Sequence, residues 1–597
     1  MDAAAIMSDN VINLPEQVVS APSPTGSGSP GSPSIGDLVA GPLCALEIYP
    51  FEGGQYTLTG SNLISVSVRK SIRGDATGQF DIQLPPGGPA GVNDPNTWSQ
   101  IITPMSHVLI GMSRGSDAAI VLDGVVTTIG ESQIWQTNQN NVATAGRGQG
   151  ISGGDFSWFF NTFNYWALTF NGLAAGTPTG DALNFVPGSL YQLMSKGLIG
   201  GNSSSQSNPV MVAQTWFNNV MSGPSGILGN TTLQYQGSRI PFYQMISAVW
   251  ENYPNVYIPF SDFFMIGEES WMAKFQGICP APWYEFFVTT APSGVFSLPQ
   301  GSAGTTTSGR TFTMQSIPNA APAGPQLVAR VNPIPRFGLT AGASSVTPSD
   351  LDLSRWNALP LVDMASKPFG FLKSSIGFSA ESARNFYQLN PTSLSTIVTN
   401  NTNNIPLPFL FIAAADAASV QRYGFRPQIG TTRWFFDPEG NAPQNQDLNV
   451  QATILDLTGA LISWFHPQPL MANAEVFIPL SPSILIGSRF RYQPFKGAPS
   501  WDFYVESVDH TFTFGRSATT RLTLTRGLPT AVYQDVNSTG LLKAVYVGNA
   551  TRTDGQYKVG LPAGSELSLQ IITTLEQAAD LAGHLAQVYV TPQSGAS

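Results

Sequence analysis

Gly150-Ile151-Ser152-Gly153-Gly154 matches G-x-S-x-G, the nucleophile elbow in which a strained strand-to-helix turn exposes a serine. A serine hydrolase also needs a histidine and an acid brought to that serine, and no companion motif supplies them. With 59 glycines in 597 residues the pattern arises by chance, so a flexible domain junction is expected here. The overlapping Gly146-Arg147-Gly148-Gln149-Gly150 misses the G-x-G-x-x-G spacing and lacks a P-loop lysine, and is read as a turn. Arg73-Gly74-Asp75 spells the integrin-binding tripeptide, but between two strands it reads as a tight turn with Gly74 supplying positive φ. His107, His466, His510 and His584 are scattered without metal-ligand spacing. Two of them lie beside or within expected strands, where a hydrogen-bonded structural histidine is the common case. Glu268, Glu269 and Glu285 lie near Trp271, Trp283, Tyr284 and Phe286, and a lysozyme-type hydrolase would need two such carboxylates across a sugar cleft. The aromatics are expected in core or interface, and no catalytic, cofactor-binding or metal-binding residue is assigned.

Composition narrows the class. A chain of 597 residues exceeds what one hydrophobic core serves, so three to five domains are expected. Only 11% of residues are charged, against about 25% in an average soluble domain. Polarity comes instead from Ser, Thr, Asn, Gln and Gly, a balance that suits rigid β-rich assembly proteins. Disorder is excluded by 42% hydrophobic and 11% aromatic residues. The net charge of −10 argues against a basic surface built to hold nucleic acid. It is compatible with DNA in transit, because an acidic lining repels phosphate. Cys44 and Cys279 are far apart in sequence and are read as buried free thiols. Residues 1–5 show no basic n-region or apolar h-region, so no signal peptide is expected, and no run is long and apolar enough to cross a membrane. Assembly in a bacterial cytoplasm follows as the expectation.

Two stretches, 62–146 and 484–527, share one grammar: alternating strands punctuated by glycine. Ile64, Val66 and Val68 alternate with Ser65, Ser67 and Arg69, and Phe80, Ile82 and Leu84 with Asp81 and Gln83. The run Ile120-Val121-Leu122-Asp123-Gly124-Val125-Val126 does not alternate, so it is expected as a strand covered on both faces. In the second stretch, residues 501–508, 510–514 and 521–527 repeat the pattern, and both units are read as antiparallel meanders that close or nearly close. Helices are expected near 211–221, 241–250 and 448–465, a strand at 371–378, and a capped helix after Thr573. The Pro/Gly/Ser run within 21–36 is a linker.

In this order the pieces resemble the baseplate-hub or tail-tip proteins of tailed bacteriophages, which share a fold with the hub half of type VI secretion spike proteins. Four blocks carry the likeness: the hairpin at 64–84 with Ala76-Thr77-Gly78-Gln79-Phe80; the apolar-Gly-apolar strand at 120–126 with the Gly-Arg step at 142–147; the passage from Trp271 to the Glu285-bearing strand and the Arg330-Val331-Asn332-Pro333 strand; and the closing hairpin at 501–527, ending Leu-Thr-Leu-Thr-Arg-Gly.

The resemblance implies a mainly β fold with α+β insertions, comprising two tube-like antiparallel β-barrel domains plus accessory domains. Its expected division is a flexible arm and linker at 1–36, a first barrel at 37–149 and an α+β accessory domain at 150–345 that can return a strand to that barrel. A second barrel with a helical insertion follows at 346–535, and a C-terminal extension with a helix at 536–597. It further implies a non-enzymatic homotrimer in the virion, a symmetry adaptor joining the sixfold tail tube to a threefold spike or tip. Tail tube protein, spike or tip protein, baseplate wedge proteins and tape-measure protein would be its partners, with DNA passing through unbound and no cofactor. Two other readings stay open: a tail-associated peptidoglycan hydrolase using carboxylates at 271–287, and a host-binding tail adhesin.

Overall fold

The structure is a computed structural model. It describes residues 41–73, 78–90, 96–137, 143–165, 206–218, 231–253, 256–259, 269–341, 346–365, 372–391, 471–493 and 500–530, with short stretches between 413 and 470 and three strands between 551 and 572. The arm at 1–36, the helix after Thr573, His466, His584 and Glu268 lie outside the described residues, as does most of the helix expected at 448–465.

The first unit contributes β1 (Pro42–Tyr49), β2 (Tyr56–Thr59), β3 (Ser65–Ser71), β4 (Gly78–Leu84), β5 (His107–Arg114), β6 (Asp117–Thr137) and β7 (Ala143–Asp155), with the short helices α1 (Trp98–Ile101) and α2 (Ser157–Thr162). Strict alternation gives β3 and β4 one buried face, formed by Val66, Val68, Phe80, Ile82 and Leu84. Residues 120–126 of β6 are buried on both faces, as their continuous apolar run requires.

Next come the helices α3 (Pro209–Trp216) and α4 (Trp271–Ile278) and the strands β8 (Ser247–Glu251), β9 (Tyr284–Pro292), β10 (Gly304–Thr307) and β11 (Ala323–Val331). These four strands form one sheet in the order β9-β11-β8-β10, in which β8 and β11 run parallel. The helix expected at 241–250 is a single turn, Phe242–Met245, after which the chain extends into β8. Ala248, Val249 and Trp250 are buried on both faces of that strand, and a short apolar run of this kind does not separate strand from helix by periodicity.

The second unit contributes β12 (Leu361–Asp363), β13 (Lys373–Gly377), β14 (Ala472–Pro479), β15 (Arg489–Tyr492), β16 (Trp501–Thr513) and β17 (Ser517–Pro529). β12, β13 and β14 are the early strands of that unit, which the sequence left unlocated between 346 and 480.

The fold is mainly β with large antiparallel sheets, as expected. Strands of the two units lie in one thirteen-stranded sheet, ordered β2-β1-β5-β6-β7-β4-β3-β16-β17-β14-β13, with β15 on β16 and β12 on β15. No pair closes this path into a barrel among the described residues. The join is the antiparallel β3–β16 pair, with Ser71 opposite Ser507 and Ser65 opposite Thr513. The core follows the same join. One apolar cluster fills the first unit and takes in Leu480, Phe512 and Ala518 from the second. The other runs from β1 and β6 through the β8–β11 sheet to β14–β17.

The Gly-rich stretch 146–154 is neither turn nor flexible junction but part of β7, paired with β4 and β6. Glycine is required at Gly153, where an added Cβ would stand 2.0 Å from the Val125 carbonyl oxygen and 2.5 Å from the Phe80 ring. The close approach of three strands selects residues without side chains.

Candidate functional site

Register across the joined sheet lines up the outward side chains of both units. One row runs Thr128, Ser152, Asp81, Ser67, Thr511, Thr519 and Pro479; the next runs Gln79, Arg69, Asp509, Arg521, Phe477 and Lys373. The same face continues through Ser71, Ser507, Thr523, Glu475 and Ser375. Period-two alternation sends the apolar set of every one of these strands to the opposite, buried side.

The face is hydroxyl- and amide-rich, and its charges compensate locally. Arg69 stands 3.5 Å from Asp509, while Arg521 pairs with Glu475 and lies 3.8 Å from Asp509. Partial burial pushes the Asp509 carboxyl up, against the pull of Arg69 and Arg521. Phe477, the aromatic of these rows, lies beneath the cations of Arg521 and Lys373, at 5.6 Å and 5.8 Å from its ring centre.

Beneath the join is a buried ionisable cluster that the sequence did not reveal. His107 Nε2 lies 2.6 Å from Asp123 Oδ1, and its Nδ1 lies 3.2 Å from the Gln234 carbonyl oxygen. A carbonyl only accepts, so Nδ1 donates to Gln234 while Nε2 faces the Asp123 carboxyl. The ring stacks on Tyr49 and meets the edge of Phe312. Both His107 and Asp123 are fully buried.

Lys70 Nζ, Asp123 Oδ2 and Asp155 Oδ2 are buried without hydrogen-bond partners among the described residues. Burial lowers the Lys70 ammonium to about 8 despite the attraction of Asp155 and Asp123. Burial, reinforced by Lys70, lowers His510 to about 3, so the ring is neutral and bonded to the Thr520 hydroxyl at 2.9 Å. His107 and His510 are thus structural, as their strand positions suggested.

The hydrolase candidates separate. Glu269 is exposed on the two-residue strand Glu269–Ser270, whereas Glu285 is buried opposite Arg330 in the β9–β11 pair. Arg330 Nε donates to Glu285 Oε2 at 2.9 Å, and Tyr504 donates to Glu285 Oε1 at 2.5 Å. Arg330 Nη2 also donates to the Gly487 carbonyl at 3.0 Å. Gly487 has φ +73, and a Cβ there would come within 2.9 Å of that guanidinium. Burial and the Glu285 carboxylate push the Tyr504 phenol well above its usual range. Both Glu285 oxygens accept from buried donors within the fold, and the group ties the middle of the chain to the second unit. Trp271, Trp283, Tyr284 and Phe286 are core side chains, and Trp283 Nε1 donates to the Leu457 carbonyl at 3.0 Å.

Ser152 sits mid-strand opposite Asp81 and Thr128, not at an elbow. Arg73 pairs with Glu506, and the turn after it lies outside the described residues. Both cysteines are free and buried, and burial pushes their thiols up. No cluster of three His, Cys, Asp or Glu able to hold a metal occurs among the described residues. No helix among them is long and apolar enough to cross a membrane.

A second brace escaped the sequence reading: Arg491 holds Asp502 through Nε (2.6 Å) and Nη2 (3.0 Å), and Asp502 also accepts from Thr530. Its signal was present as arginines at 489 and 491, period two, before a strand bearing Asp502, but the facing register is needed to pair them.

No family model and no curated protein matches the chain. Among solved structures it is similar to a tail protein from Neisseria meningitidis MC58, with 8% identity, 81% of this chain and 96% of that chain covered, and a TM-score of 0.38. It is also similar to the 43 kDa tail protein of prophage MuSo2 from Shewanella oneidensis, with 9% identity, 81% and 98% covered, and a TM-score of 0.36. A third is a prophage tail protein from Listeria monocytogenes EGD-e, with 10% identity, 83% and 99% covered, and a TM-score of 0.33. At this level of superposition the architecture rests on the strand pairings described above.

Proposed function

We propose that this chain is a structural hub of a bacteriophage tail: a homotrimer that adapts the sixfold tail tube to a threefold spike or tip and forms part of the channel. The observation that carries this reading is the joined sheet. Two β units far apart in sequence present one continuous polar face, so three chains offer six similar units to a hexameric ring while retaining threefold symmetry. The named rows hold three acidic side chains (Asp81, Asp509, Glu475) and three basic ones (Arg69, Arg521, Lys373). Such a face neither grips phosphate as a basic groove does nor offers an apolar patch for protein to stick to. That suits a wall past which tape-measure protein and DNA move without specific binding. Spike or tip, tube and wedge proteins would dock at the ends and outer side, in the virion.

The test is native mass measurement of the full chain, alone and with tail tube protein. A threefold mass is expected, and a species that stays monomeric at high concentration with tube protein present overturns the reading. Peptidoglycan zymography addresses the enzymatic alternative: clearing by the purified, folded full chain would make it a hydrolase.

A further inference from the structure

Two carboxylates and one amine meet beneath the β3–β16 join with polar atoms to spare. Lys70 follows Val66 and Val68 on the buried side of β3 and is 6% exposed, while Asp123 and Asp155 are 0% and 1% exposed. Bulk solvent therefore does not reach them. Each carboxylate has one oxygen engaged within the fold: Asp123 Oδ1 by His107 Nε2 at 2.6 Å, and Asp155 Oδ1 by the Ser157 N–H at 2.9 Å and by the Ser157 hydroxyl. The other oxygen of each, Oδ2, and the Lys70 Nζ make no hydrogen bond among the described residues.

Register brings the three groups together. Lys70 stands opposite Gly78 in the β3–β4 pair, and a Cβ on Gly78 would lie 2.5 Å from Asp155 Cγ. The Asp155 carboxyl thus fills the place of the side chain that Gly78 lacks, and side chains directly opposite each other start only about 4.5–5.5 Å apart. Asp123 precedes Gly124, the partner of Asp155 across β6 and β7. Both carboxylates attract the Lys70 ammonium, Asp155 the more strongly, yet neither comes within hydrogen-bond distance of it. Polar groups that are close but too far apart for a direct bond have the spacing of a bridging water.

The chemistry of the three atoms selects the occupant. A metal ion would sit beside an ammonium and an anion beside two carboxylates, so each would meet a like charge away from solvent. Water is neutral, has two hydrogens for the two carboxylate oxygens and a lone pair for one N–H of Lys70, and three such bonds are the usual complement of an internal water. We propose that Lys70 Nζ, Asp123 Oδ2 and Asp155 Oδ2 form a binding site for one internal water molecule. The bound water links β3, the strand on which the second unit pairs, to β6 and the end of β7, and it connects the His107–Asp123 and Asp155–Ser157 pairs into one network. The site needs no partner chain, so monomer and trimer hold it alike.

A density map of the full chain, at a resolution that shows ordered waters, tests the site. A peak within about 2.7–3.2 Å of all three atoms is expected. Direct contact of Lys70 Nζ with either carboxylate, or the three atoms with no peak between them, overturns the proposal. Lys70→Arg supplies a second measurement, because a guanidinium reaches further and carries enough donors to meet both carboxylates itself. The map of that variant is expected to lose the peak and to show the guanidinium bonded to Asp123 and Asp155. A peak unchanged in the Lys70→Arg map means a water held without the amine, and overturns the three-point site. Where the variant folds poorly, the map of the parent chain is decisive.

Discussion

Glu285, Arg330 and Tyr504 show how one acid is turned from a plausible catalyst into a brace. Its neighbours are supplied by β11 and β16, and both donors reach it within hydrogen-bond distance. Removing one charge of a buried pair leaves the other uncompensated, so Glu285→Gln is expected to lower folding stability by about 3–5 kcal/mol. Urea titration of the purified variant measures it, and a change below 1 kcal/mol would refute the brace. Lys70 and His510 make a second prediction. The folded chain holds both with depressed pKa values, about 8 and about 3, so in each case the unfolded chain binds the extra proton. Stability therefore rises with pH from about 8 to 10.5 on account of Lys70, by about 3 kcal/mol at ~1.4 kcal/mol per pKa unit. On account of His510 it falls by about 4–5 kcal/mol as pH drops from 6.5 through 3. Lys70→Met should abolish the first slope and His510→Gln flatten the second. Denaturation midpoints across pH, each variant set against the parent, read out the two slopes separately.

At the scale of elements, β7 is where composition misleads. Its glycines read as a loop because glycine weakens a strand when its neighbours leave room for side chains. Here the neighbours leave none: the Val125 carbonyl and the Phe80 ring occupy the space a Cβ at Gly153 would fill. Gly153→Ala is expected to cost at least 1–3 kcal/mol through overpacking, whereas Gly150→Ala, with nothing within 4 Å, should cost far less. Thermal melts of the two variants side by side decide the point. The alternating strands β3, β4 and β17 were legible because a single buried face imposes period two on the sequence. β8 was not, because burial on both faces erases that period.

For the whole molecule, the β3–β16 join makes the two units interdependent. A fragment covering 37–345 would leave the β3 edge and its neighbouring apolar cluster without Phe512, Ala518 and Leu480. Expressed alone it is expected to aggregate, and co-expression with 346–535 should restore soluble material. Equal solubility in both conditions, by sedimentation, would show that the join is dispensable. The sites at this scale, the polar face and the buried cluster beneath it, are assembled from residues hundreds apart, such as Arg69 and Asp509, or Lys70 and His510.

By itself the sequence determined the class of elements and their faces: alternation, burial on both sides of 120–126, buried free thiols and an aromatic core around Trp283 all follow from local side-chain pattern, because burial selects residue type one position at a time. Which strands become neighbours was decided only by tertiary structure. Pairing is a relation between distant segments, and nothing local in Ser71 or Ser507 encodes that they face each other. That relation turned two separate β units into one ribbon, and Glu285 from a possible acid into half of a brace.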